Sequence, residues 1–133
     1  MKNNSHTSMS AWFVVTGMKF NPHDCTSHFG LEPTDVLTKG DIRPGKRPPV
    51  PHSSWSVKTK NIRSNNSDEA LQLLLGVIWP RRRMIINYVK EHGLKITFVL
   101  CVTQSGDERP FYCLSSQTID QIRYFNAPLH IDI

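Results

Sequence analysis

Hydrophobic residues are grouped along the chain in short runs whose spacing predicts alternating strands and helices. Residues 11–17 (AWFVVTG) are aromatic or β-branched and predict a first strand that is buried on both faces. Residues 94–103 (LKITFVLCVT) predict a central strand in the same way. Residues 55–60 and 129–133 alternate apolar and polar positions, which is typical of strands with one face in water.

Three segments carry helix signals. They are residues 22–29, residues 68–93 and a last helix that begins after Ser115 or Ser116. Asn21 is a suitable N-cap for the first helix, which Gly30 can end in the left-handed conformation. Pro80 interrupts the second segment, so a kink or a break is expected there. Glycine at position 93 and asparagine at position 126 are the corresponding stop signals of the second and third segments.

Residues 111–114 are expected to pair with the central strand as a hairpin, because a polar turn at residues 104–110 separates the two. The element order is then β-α-β-α-β-β-α-β. It predicts an α+β fold with a single mixed sheet of about five strands and helices mainly on one face. Residues 1–10 lack periodicity and are expected to be a disordered tail, with residues 11–133 forming a single domain.

Composition favours a cytoplasmic protein with an acidic partner. The 133 residues carry a net charge of +5, so nucleic acid, anionic lipid and acidic protein are all plausible partners. The three cysteines form no CxxC pair, which argues against a disulfide framework. No apolar run resembles a signal peptide or reaches the length of a membrane span, so no membrane association is expected.

The segment between Gly30 and Trp55 is unusually rich in proline and basic residues. Lys39, Arg43, Lys46 and Arg47 share this segment with Asp41. Two interpretations stay open, a solvated loop and a partner-binding loop, and the second gains support because prolines order a loop and ordered loops often carry function. Trp55 either adds an aromatic contact to that surface or belongs to the core.

Arg81, Arg82 and Arg83 form a second basic focus. If Pro80 starts a new helix, the three arginines lie at its positive end, where each is disfavoured by about 0.3–1 kcal/mol. Compensation is expected from acids of the same domain, such as Asp107 or Glu108, from a dimer mate or from an anionic partner.

Signals for catalysis or metal binding are weak. Cys25 and His28 are three residues apart on a predicted helix, with His23 nearby, a spacing that suits a thiol–imidazole pair or two metal ligands. A zinc site needs about four ligands, and no fourth is apparent. A surface cluster without function is the preferred interpretation, and no catalytic residue, metal or cofactor is expected.

Several short motifs occur in an order that resembles one bacterial family. They are Phe29-Gly30-Leu31-Glu32-Pro33-Thr34, Lys39-Gly40-Asp41, Trp55-Ser56 and a terminal Leu129-His130-Ile131-Asp132-Ile133. Together with the leucine-rich helix they resemble domain-of-unknown-function family 4279 across residues 11–133. His130 departs from the family pattern, which usually has an acid there, and Asn126 stands where glycine is usual. The resemblance implies a small bacterial cytoplasmic protein, and some relatives look like immunity partners of toxins.

The leading hypothesis is a non-enzymatic protein-interaction domain, in its most specific form an immunity protein that binds a cognate toxin. One alternative is a nucleic-acid-binding domain that uses residues 39–47 and Arg81–Arg83. Another is a small hydrolase or transferase. The expected partner-binding residues are Lys39, Asp41, Arg43, Lys46, Arg47, Trp55, Arg81, Arg82 and Arg83.

Overall fold

One mixed sheet organises the structure, a computed structural model that describes residues 6–133. Its strands are β1 (Ser8–Gly17), β2 (Asp35–Leu37), β3 (Ser53–Lys58), β4 (Ile62–Arg63), β5 (Lys95–Thr103) and β6 (Leu129–Asp132). They are arranged in the order β2-β3-β1-β5-β6, and β4 pairs with the start of β1. Only the β5–β6 pair is parallel among these strands, and the others are antiparallel. The predicted α+β class and single mixed sheet are confirmed.

In the described residues 6–133, four α-helices accompany the sheet. They are α1 (Pro22–Phe29), α2 (Ser67–Ile78), α3 (Arg82–His92) and α4 (Ser116–Tyr124). The predicted end signals operate as expected: the Asn21 side chain accepts a hydrogen bond from the N–H of His23, and Gly30 takes a left-handed φ of 65°. At Pro80 the predicted break is a 3₁₀ turn, Trp79–Arg81, which separates α2 from α3.

The core lies between one face of the sheet and the helices. Register places Phe13 of β1 between Val57 of β3 and Phe98 of β5, so these side chains share a face. The ring of Phe125, which follows α4, packs on Phe13 and Phe98 with centroids 5.6 and 5.8 Å away. Alternate residues of β1, such as Trp12, are half-buried on the opposite face. The expectation that β1 and β5 are buried on both faces is therefore wrong, because the helices cover one face.

The sheet begins earlier in the chain than predicted. Thr7 and Met9 are fully buried. Met9 pairs with Val102 and also with Ile62 of β4, while the Thr7 hydroxyl donates to the carbonyl of Glu108 at 2.6 Å. A tail of residues 1–10 is therefore too long, because Ser8 and Met9 pair with strands on both sides and Ser10 pairs with Cys101. Residues 1–5 lie outside the described part of the chain.

The predicted hairpin at residues 111–114 does not form. Instead, the N–H and C=O of Cys113 both bond the hydroxyl of Ser67, each at 2.8 Å. Phe111 makes an isolated bridge with Asn66, so this segment runs beside the start of α2. The sequence of residues 111–114 suggested a strand, but polar groups at the N-terminus of α2 hold this segment instead. Position 113 is accordingly an exposed cysteine in a loop.

A short strand was also missed in the proline-rich segment. β2 lies at the edge of the sheet, where Val36 pairs with Trp55. The prolines flank this strand and do not interrupt it, which an edge strand tolerates. Among the described residues, no helix is long and apolar enough to cross a membrane.

Candidate partner-binding surface

The loop of residues 38–52, which joins β2 to β3, is closed by backbone hydrogen bonds at its base. Gly40 donates to the carbonyl of Val50 at 2.9 Å, and Val50 donates back to the carbonyl of Asp41 at 3.0 Å. The side chain of Val50 is buried, with 3% exposure, and so anchors the returning arm. The Lys39 N–H donates to the hydroxyl of the buried Ser53 at 3.0 Å. The loop is therefore an ordered projection, as its prolines suggested.

Two arginines stabilise the outer part of this loop from within. Arg43 donates through Nε to the carbonyl of Pro48 at 2.9 Å, and Arg47 donates through Nε to the carbonyl of Pro44 at 3.5 Å. Gly45 between them has a φ of 75°, a turn conformation that side chains disfavour. These contacts use only Nε, so the outer N–H groups of each guanidinium remain available to an anion.

An apolar side chain stands among these cations. Ile42 is 92% exposed and follows the loop's base directly. Lys39, Lys46 and Arg47 are exposed, and in residues 6–133 none of the three forms an ion pair. The Asp41 side chain is exposed too, while its backbone closes the loop. The loop thus presents isoleucine within a mainly positive surface.

Trp55 belongs to the core. Its side chain is fully buried, and the indole N–H donates to the hydroxyl of Thr26 at 3.1 Å. Its ring meets Phe29 edge-on with centroids 5.1 Å apart and contacts Phe13 in the same manner at 6.5 Å. The indole offers no surface to a partner, so its inclusion among the partner-binding residues is wrong.

The arginine triplet is partly used inside the fold. Arg81 lies against the end of α1, where a methyl group built on Gly30 would be 3.4 Å from its Cζ and Nη1 atoms. The negative end of the α1 dipole favours a cation there. Arg82 stacks over the Trp79 ring at 4.5 Å and donates to the carbonyl of Trp79 at 3.0 Å. Arg83 is exposed.

The expected acidic partners of the triplet are absent. Within residues 6–133, Glu108 pairs with His6 at 3.6 Å and no ion pair reaches Arg81, Arg82 or Arg83. Pairing with Asp107 or Glu108 is therefore wrong. The neighbouring helix end and an aromatic face provide the compensation instead.

The two basic segments lie toward opposite ends of the sheet. Loop 38–52 leads into β3 at Ser53, whereas Thr34 bonds Ser56 and Lys58 toward the far end of that strand. Gly30, which contacts Arg81, is only a few residues from Thr34. Because β3 is about 17–20 Å long, the triplet and the loop do not form one continuous site.

The cysteine near the histidines is unsuited to catalysis. Cys25 is fully buried, and this burial raises the pKa of its thiol to about 12, although the Tyr88 hydroxyl donates a hydrogen bond to it. The exposed His28 ring packs on Tyr88 at 4.8 Å. In the described part of the chain, no group of three or more His, Cys, Asp or Glu side chains is placed to hold a metal ion.

The fold and this surface define a small α+β domain that presents an ordered basic loop. The chain belongs to the family described as Domain of unknown function (DUF4279), whose profile matches residues 6–133. No curated protein and no solved structure matches the chain at a significant level.

Proposed function

We propose that this protein is a binding domain whose loop 38–52 engages a protein with an acidic surface. The observation that carries the proposal is the exposed Ile42, which lies among cations that form no ion pair within residues 6–133, on a loop that its own hydrogen bonds keep in place. An exposed apolar side chain supplies binding energy, and the surrounding charges supply orientation and speed of association. An ordered loop loses less conformational entropy on binding than a flexible one.

The most specific form of this proposal is an immunity protein that binds a toxin in the bacterial cytoplasm. The resemblance of the sequence motifs to this family is what suggests the role. A net charge of +5 requires that the toxin surface at the contact be acidic.

The alternatives receive less support. Nucleic-acid binding through both basic segments would require one continuous surface, whereas the segments lie toward opposite ends of the sheet and Arg82 is stacked on Trp79. Hydrolase or transferase chemistry at Cys25 would require an accessible thiol, whereas Cys25 is buried and desolvation raises the pKa of its thiol to about 12.

Affinity purification from the native cell, followed by calorimetry with the purified partner, tests the proposal. We expect Ile42→Asp to weaken binding at least about tenfold, because it removes an apolar anchor and introduces charge repulsion with an acidic partner. Ile133→Asp is the matched control, since it makes the same change at an exposed isoleucine outside the loop.

The same measurements distinguish the alternatives. A partner that binds both variants equally contradicts a role for the loop. RNA or DNA binding that falls steeply with salt would favour the nucleic-acid alternative.

A further inference from the structure

A groove of about 750 Å³ opens between α3, the C-terminal end of α4 and the start of β5. Its apolar wall includes Ile86, Val89 and Phe125, and its charged residues are Lys90 and Lys95. In the described part of the chain no acidic side chain lines it. The volume lies within the range of about 300–1,000 Å³ that is usual for ligand sites. This composition suits a ligand that is apolar and carries a negative charge.

One wall of the groove is an unpaired strand edge. Pairing between β5 and β6 begins at Phe98, opposite Leu129, and the N–H of Phe98 donates to the carbonyl of Pro128 at 3.0 Å. Backbone groups alternate in direction along a strand, so the N–H and C=O of Ile96 point to the same edge. The ladder cannot continue to the carbonyl of Ile96, because Pro128 has no N–H to donate.

The groove follows this edge. Ile96 faces the helices, while Lys95 and Thr97 belong to the opposite face of β5, and all three line the same groove. Ile96 is only 4% exposed, and neither of its outward backbone groups has a partner in residues 6–133. Poorly hydrated backbone groups without partners are costly, so a ligand that pairs with them gains affinity.

We propose that this groove binds an extended peptide segment in which an apolar side chain is adjacent to a carboxylate. The peptide adds to the edge of β5 and exchanges hydrogen bonds with Ile96, as in other cases of β-strand addition. Its apolar side chain packs against Val89 and Phe125, and its carboxylate lies near Lys90 and Lys95. That carboxylate is either a free C-terminus or the side chain of an aspartate or glutamate. The proposal does not depend on the function proposed for loop 38–52, and His52 of that loop lines a smaller neighbouring cavity together with Gly93 and Lys95.

A ¹⁵N NMR titration with short peptides at millimolar concentration tests the proposal. The probes are N-acetyl-leucyl-leucine with a free carboxylate, its C-terminal amide, and N-acetyl-leucyl-aspartate amide. We expect the acidic probes to shift the amide signals of Gly93, Ile96 and Thr97, and the neutral amide to bind more weakly. The stronger of the two acidic probes identifies the source of the carboxylate. Equal binding of the neutral probe, or no shift at these residues, overturns the proposal.

Substitutions separate the contribution of the lysine charges to peptide binding from that of the open edge of β5. Lys90→Gln and Lys95→Gln should each weaken binding about threefold, as expected for partly exposed ion pairs. Lys58→Gln, which removes a cation stacked on Trp12 outside the groove, should have no effect. Pro128→Ala restores an N–H that can pair with Ile96 and should therefore weaken binding, with circular dichroism confirming the fold.

Octanoate provides a final comparison: binding as tight as that of the acidic peptides would show that the amide contacts contribute nothing and would overturn the peptide assignment.

Discussion

Replacing Asp68 with asparagine should destabilise the fold through a junction between two helices. The carboxylate lies in the first turn of α2 and accepts hydrogen bonds from the Thr118 hydroxyl at 2.6 Å and the Ser115 N–H at 3.0 Å, both at the start of α4. Burial alone would raise the pKa of Asp68, but the bonds from Thr118 and Ser115 outweigh it and lower the pKa below its ordinary 3.8. The charged form is therefore the stabilising one.

The cost of Asp68→Asn follows from what the amide retains. Hydrogen bonds to a charged group contribute about 1.5–3 kcal/mol and neutral ones about 0.5–1.5 kcal/mol, and the helix dipole adds about 0.3–1 kcal/mol for an acid. Because the site is half-buried and one acceptor oxygen remains, we expect a loss of about 1–2 kcal/mol in the free energy of unfolding at neutral pH. Urea denaturation followed by circular dichroism measures it.

The pH dependence of the cost of Asp68→Asn tests whether the hydrogen bonds to the carboxylate are its cause. A folded pKa below the unfolded value gives stability that is present above about pH 4 and is lost as pH falls through the folded pKa, so the cost of Asp68→Asn should shrink from pH 5 to about pH 3. Glu69→Gln is the matched control, since Glu69 shares the first turn but is exposed. A cost that stays constant with pH, or that equals the cost of Glu69→Gln, would contradict the role assigned to the hydrogen bonds.

Three further predictions concern the core and the helix ends. Trp55→Phe should cost about 2–3 kcal/mol in urea denaturation, because it removes a buried hydrogen bond and leaves a cavity, and a loss below about 0.5 kcal/mol would contradict this account. A thiol reagent should modify the exposed Cys113 promptly but Cys25 only on unfolding, since burial raises the pKa of Cys25 to about 12. Gly30→Ala should cost about 1–2 kcal/mol because φ is positive, whereas Gly76→Ala, at an open position inside α2, should stabilise by up to about 1 kcal/mol. A lower free energy of unfolding for both Gly30→Ala and Gly76→Ala would contradict the explanation based on backbone conformation.

Local signals in the sequence predicted the helices well. Asn21 and Gly30 set the limits of α1 because capping depends on a few neighbouring residues and little else. The proline at position 80 broke the second helical segment for the same reason. The strands with long apolar runs were also found, although their composition wrongly suggested burial on both faces.

The errors arose where distant residues decide the structure. Residues 111–114 have the composition of a strand, but Ser67, far away in sequence, supplies both of their hydrogen bonds at Cys113. In the sequence, Thr7 and Met9 resemble part of a polar tail. In the fold, Met9 pairs with β4 and Thr7 bonds the turn at Glu108. The sequence also left open whether the two basic segments lie together, because it carries no information about which end of a strand each segment adjoins.

The groove at β5 illustrates why a site can escape sequence reasoning even when one of its residues has an obvious local role. Proline at position 128 cannot continue a helix, and α4 ends before it. The missing N–H of Pro128 has a second consequence, which depends on the pairing of β6 with β5. Because β6 starts at the next residue, its pairing with β5 begins at Phe98, and within residues 6–133 the outward backbone groups of Ile96 have no hydrogen-bond partner. That consequence exists only when β6 lies parallel to β5, a pairing that no local signal specified. Pro128→Ala therefore tests topology and binding together, because the restored donor should pair with Ile96 only if this register is correct.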